Sequence, residues 1–150
     1  MTVPNPHDSK AQRDAETEIL ATLSAELGVP LTPTRLPLGE GITVAVDGVD
    51  PSGQTLVEVY ARVGVLRSSQ LDKVAKDILK LSLLSASQTV SVRPRIIMAF
   101  ASEEALGSVR GWRRFTADTL GIELRVVELT PETRAAVEAA QSAQMMVGVA

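Results

Sequence analysis

Apolar and polar positions alternate along the chain with two clear periods. Ala15, Ile19, Leu20, Leu23 and Leu27 recur at helical spacing, and Gly28 followed by Pro30 supplies a stop, so residues 8 to 27 are predicted to form a helix. The stretch LTPTRLPLGEG contains Pro33 and Pro37, which confine it to a loop or an interrupted edge strand. Two strands follow, GITVAVDGV and QTLVEVYARV. They are joined by Asp50-Pro51-Ser52-Gly53, whose Asp, Pro and Gly occupy the positions favoured in a type I turn, and a hairpin is expected.

Leu71, Val74, Ala75, Ile78 and Leu81 give a second helical stripe through about Leu84, opened by a capping-box pattern at Ser69 and Asp72. RPRIIMAFA is a short apolar run suited to a buried strand. Ser102 then caps a helix with Glu103 and Glu104 in its first turn, and Gly121 ends it. The strand IELRVVEL and a last helix opened by Thr130-Pro131 complete the order, before the apolar tail MMVGVA. There is no internal repeat. This succession predicts an α/β sandwich, a mixed central sheet flanked by helices, in a single domain over 1–150 with its core at about 10–140.

Composition narrows the chemistry. With 150 residues, a single core is expected to bury about 70% of the unfolded surface. No cysteine is present, which excludes thiol nucleophiles and thiolate metal sites, and His7, the lone histidine, falls in a polar N-terminal tail. One Trp, one Tyr and two Phe cannot make a row of base-stacking platforms. The sequence has neither a bilayer-length apolar run nor the pattern of a signal peptide, and a cytoplasmic protein is expected.

Net charge is −3, but it is unevenly spread: residues 1–61 carry −6, residues 62–114 carry +6 and the remainder −3. A basic middle segment can fold into a face that attracts phosphates, although solvated mixed-charge helices give the same pattern.

Candidate chemistry lies in the hairpin. If Asp50 faces Gly53, Asp47 faces Leu56, and Glu58 and Tyr60 share its side of the sheet. Ile42, Val44 and Val46 would then join Val57, Val59 and Ala61 on the opposite, apolar side. Two carboxylates at this spacing suit Mg²⁺ or Mn²⁺, with Asp47 and Glu58 as metal ligands. The alternative is that Asp47 merely ends a strand and Glu58 is a half-exposed strand residue.

A helix, a hairpin with Asp on its first strand and Glu-x-Lys on its second, then a helix and a strand, form the core of the PD-(D/E)XK nuclease-like superfamily. The chain resembles that pattern from about residue 10 to 129, with Asp47 at the first acidic position and Glu58-Val59-Tyr60 at the second motif. The resemblance implies a restriction-endonuclease-like fold and a metal-dependent nuclease acting on phosphodiesters. It departs where Tyr60 stands in place of the catalytic Lys, since a phenol cannot supply the same positive charge. Some branches of the superfamily draw that Lys from the following helix, which here offers Gln70, Lys73 and Asp77, with Lys73 the nearest substitute. The run GVLRSSQLDKVAKDILKL also resembles a segment of a group of actinobacterial proteins, grouping Glu58, Tyr60, Gln70 and Lys73.

The rival expectation is an inactive relative that binds nucleic acid, through Arg62, Arg67, Lys73, Lys76 and Lys80, or a protein partner. A third is a homodimer formed through the tail, including Met145, Met146 and Val147, or through a free sheet edge. Gly64 and Arg67 could meet a phosphate at the second helix, and Arg110, Arg113 and Arg114 could form a patch beside Trp112. An ordinary turn, and Trp112 as a core anchor, are the plainer readings.

Overall fold

The computed structural model describes residues 6–87 and 93–147, and side chains within 10–87 and 93–145. Its elements are α1 (Pro6–Leu27), β1 (Thr32–Gly39), β2 (Ile42–Val49), β3 (Thr55–Tyr60), α2 (Ser68–Ala86), β4 (Arg95–Phe100), α3 (Glu103–Gly107), α4 (Gly111–Thr119), β5 (Glu123–Val126) and α5 (Pro131–Val147). The five strands form one mixed sheet in the order β1-β2-β3-β4-β5. β1 to β3 are antiparallel neighbours, while β3, β4 and β5 run parallel. The architecture is therefore α/β, with helices on both faces of the sheet.

The central strands β3 and β4 are covered on both sides, as parallel strands usually are. One face packs Leu56, Tyr60, Met98 and Phe100 against Val74, Ile78, Leu81 and Leu84 of α2 and Ala117 of α4. Tyr60 and Phe100 stack there with ring centroids 4.8 Å apart. The other face packs Val57, Val59, Ile97 and Ala99 against Ala15, Ile19 and Leu23 of α1 and Val137 of α5. Each such large side chain removed from water contributes about 1.5–3 kcal/mol before entropy is counted.

α1 and α5 run in opposite directions and are strapped together. Glu18 of α1 accepts the Thr130 backbone N–H at 2.8 Å and the Thr130 and Thr133 hydroxyls at 3.0 and 2.6 Å. It thereby supplies negative charge at the α5 N-terminus, where the helix dipole favours it. The Thr133 hydroxyl, above all, and the Thr130 bonds outweigh burial and hold the Glu18 carboxyl below its ordinary range.

Several expectations change. α1 begins at Pro6, so the backbone of His7 lies in its first turn and not in a tail. The proline-bearing stretch is strand β1, at the sheet edge where missing N–H donors are tolerated. α2 starts at Ser68 with Arg67 as N-cap, and Gln70 accepts the Arg67 N–H at 2.8 Å, so the box closes two residues earlier than Ser69–Asp72 suggested. The helix expected from Ser102 to Gly121 is two, separated at Ser108–Arg110. The Ser108 hydroxyl bonds the Ala105 carbonyl at 2.6 Å and accepts the Leu66 N–H, competing locally with helix continuation. Met145 is exposed, and the rest of the apolar tail lies outside the residues whose side chains are described.

The hairpin register also differs. Val49 pairs with Leu56 and Gly48 with Val57, two residues away from the expected alignment. The turn is longer because Asp50 accepts not only Gly53 N–H through its carbonyl but Thr55 N–H through Oδ1. On the other side of β2, Thr32 pairs with Val49 but Thr34 with Val46, so β2 carries one extra residue, a bulge at Asp47–Gly48. The bulge reverses the phase of the strand. Val44 and Val46 consequently join the α2 face, not the Val57–Val59 face to which simple alternation assigns them.

Candidate functional site

The bulge parts β2 from β3. Beyond Gly48 the two strands exchange no further ladder pairs, and Asp47 Oδ2 accepts the Val59 N–H at 2.8 Å in place of a backbone carbonyl. The same separation frees the Ala45 carbonyl, which accepts from Lys80 Nζ of α2 at 2.8 Å. Lys80 is thereby drawn into the gap. Its Nζ lies 2.6 Å from Glu58 Oε1, an ion contact without hydrogen-bond alignment, and 3.4 Å from Asp77 Oδ1.

Asp77, one turn earlier on α2, completes the cluster. Its Oδ2 accepts the Tyr60 hydroxyl at 2.7 Å and lies 3.1 Å from Lys73 Nζ, which also sits 4.9 Å from the centre of the Tyr60 ring. Asp47, Glu58 and Tyr60 from the strands thus meet Lys73, Asp77 and Lys80 from the helix. Glu58 is only 2% exposed. Burial first, then the hydrogen bond and charge of Asp47, push its carboxyl up to about 8, with Asp77 adding and Lys80 opposing. Holding a proton spares Glu58 the cost of a buried charge. Burial and the Asp77 charge raise Tyr60 well above an ordinary phenol, so it remains a donor. Burial opposes the charge on Lys73, but Asp77 and the other carboxyls outweigh it and raise its pKa.

Asp47 and Glu58 do come together, on one side of the sheet. That side is covered by α2, and the oxygens needed for a cation face the Val59 N–H and the Lys80 ammonium. Among the described residues, no three Asp, Glu or His side chains are arranged to hold a metal ion. Lys73, the expected substitute for the missing motif lysine, pairs with Asp77; the lysine in contact with Glu58 is Lys80, about two helical turns beyond it. Gln70 accepts the Arg67 N–H at the start of α2, and Lys76 is exposed. Helical spacing puts Lys80 on the same stripe as Lys73 and Asp77, but its contact with Glu58 is set by the Ala45 carbonyl, which no helical pattern reveals.

The loop after β3 offers no open N–H groups at Val63, Gly64 or Leu66. These are taken by Gln141 Oε1 at 2.9 Å, Ser102 Oγ at 3.2 Å and Ser108 Oγ at 3.2 Å, which leaves the ordinary turn and not a phosphate cradle at Gly64. Beside this loop a cavity of about 120 Å³ lies between the end of β3, the start of α2, and α1 and α5. Tyr60 and Lys73 form the wall it shares with the buried cluster.

The outer surface of α4 is a second feature. Trp112 is 64% and Phe115 73% exposed, so Trp112 is no core anchor. The Arg113 guanidinium lies 4.7 Å from the Trp112 ring centre and 3.4 Å from Asp72, Arg114 pairs with Asp118, and Arg110 has no carboxylate partner among the described residues. No helix of the described residues is long and apolar enough to cross a membrane. No family model, curated protein or solved structure matches the chain.

Proposed function

We propose that this chain is a non-hydrolytic binding module on a restriction-endonuclease-like scaffold, and that its partner is nucleic acid. The observation that carries the reading is Lys80 Nζ at 2.6 Å from Glu58 Oε1, in the place where a nuclease of the PD-(D/E)XK type would hold Mg²⁺ or Mn²⁺. A tethered ammonium supplies charge balance to the buried carboxyls but cannot acidify a water for in-line attack as a metal does. The helical layer of α2 and α4 carries the binding chemistry: Trp112 and Phe115 offer a short stacking surface, and Arg110, Arg113, Arg114 and Lys76 offer phosphate contacts. Two rings accommodate few bases, so phosphate contacts dominate the affinity.

Fluorescence anisotropy with short single- and double-stranded DNA and RNA tests this. Binding should persist in EDTA, weaken steeply with added salt, and fall in Trp112→Ala and Arg110→Ala. Absence of binding at low salt overturns the reading. Millimolar Mg²⁺ or Mn²⁺ should leave the melting temperature unchanged; a rise that Asp47→Ala abolishes, accompanied by cleavage lost in Glu58→Ala, would instead establish the metal-dependent nuclease.

A further inference from the structure

The cavity at the end of β3 is lined by an arginine and a glutamate that pair with no opposite charge among the described residues. Arg62, half-buried at its edge, makes only a long contact from Nε to the Val65 carbonyl, at 3.5 Å, and pairs with no carboxylate among the described residues. Burial, and then the neighbouring Arg67, lower its pKa, the signature of a guanidinium without a compensating anion. On the α1 wall, Glu16 accepts the Gln12 side-chain amide at 3.1 Å and likewise pairs with no cation among the described residues. Lys73 is already held by Asp77 and adds positive potential without a free charge.

The remaining lining is amide-rich. Four of the six glutamines of the chain border this one cavity, and an amide presents both a donor and an acceptor. Gln141 is committed to the scaffold: its Oε1 and Nε2 bond the N–H and carbonyl of Val63, both at 2.9 Å. That clamp, with Ser102 and Ser108 on the next residues of the loop, fixes the backbone that carries Arg62 before any ligand arrives. Gln70 uses its carbonyl on Arg67, which leaves its NH₂ for the cavity. A void of about 120 Å³ is several times what one water requires.

A guanidinium carried on a clamped backbone, a carboxylate and amides lining the same cavity match a small zwitterion. We propose that this cavity binds a free amino acid, with Arg62 receiving the carboxylate and Glu16 the ammonium group. The guanidinium fork suits a carboxylate better than a point charge would. Arg62 and Glu16 belong neither to the proposed nucleic-acid surface on α4 nor to the cluster around Glu58, so variants at these two residues test this site separately.

The experiment is calorimetric titration of the full chain with the standard amino acids at millimolar concentration, alongside the shift in melting temperature. Propionate, ethylamine and inorganic phosphate are the comparison probes. The expected result is saturable binding of at least one amino acid, stronger than that of all three probes. Arg62→Gln should weaken it by about tenfold or more, with Arg62→Lys intermediate. Glu16→Gln should weaken the amino acid but leave propionate unchanged. Melting curves without ligand verify that the variants fold. The proposal is overturned if no amino acid binds, if Arg62→Gln binds as the parent does, or if phosphate matches the best amino acid and Glu16→Gln changes nothing, which would leave a simple anion site.

Discussion

Glu58 sits where two opposite demands meet. Asp47 hydrogen-bonds its carboxyl and favours a proton there, while Lys80 favours the anion; burial decides for the proton. The pH consequence has a definite sign. The folded pKa of about 8 lies above the unfolded value of 4.5, so the native state keeps a proton that the unfolded chain releases. This contribution to stability is present in full below the unfolded pKa and is lost as pH rises through about 8. Urea unfolding of the parent should therefore show stability declining by a few kcal/mol across this window. Glu58→Gln should flatten the decline and be the more stable protein above pH 8; parallel curves for the two would show that no such proton is held. The meeting of Asp47 and Glu58 was legible in the sequence, because a register error of two residues preserves the face. Lys80 was not. Its position depends on the free Ala45 carbonyl, which exists only because β2 leaves β3.

At the scale of elements, the bulge at Asp47–Gly48 controls the site. Gly48 packs against α1 so closely that an added Cβ would lie 2.5 Å from Leu20 Cδ1 and 3.3 Å from Leu31 Cβ. The leucine tip can swing away, but the Leu31 Cβ is fixed to the backbone. Gly48→Ala should cost about 1–3 kcal/mol, and less in a Leu20→Ala background, which a double-mutant cycle by chemical denaturation measures. An additive cycle would mean that Leu20 is not the obstacle. A glycine inside a strand pattern is a recognised bulge signal, yet hydrophobic alternation from Ile42 to Val46 argued for a regular strand and misassigned two valines. The break before α4 was hidden for a similar reason. Residues 103–119 read as continuous helix, whereas Ser108 bonds across to Leu66, 42 residues away, and no local pattern carries that information.

For the whole molecule, the order of elements and the mixed sheet were readable from periodicity, and the placement of charge was not. Two of the ten basic side chains of residues 62–114, Lys73 and Lys80, are held by the buried Asp77 and Glu58. The strap from Glu18 to Thr130 and Thr133 has a different consequence, for connectivity. Because α1 and α5 lie side by side in opposite directions, the first described residues are close to the last ones. Between residues 6 and 147 the chain nearly closes on itself. Joining residue 147 to residue 6 with a short Gly/Ser linker and opening the backbone between Glu40 and Gly41, in the exposed β1–β2 turn, should give a circular permutant with the parent's circular dichroism spectrum and a cooperative melt. A permutant that remains unfolded would mean that the native order of synthesis is required. If it folds, docking α5 onto α1 no longer has to close a loop of almost the entire chain, and the entropy of that closure is removed from folding.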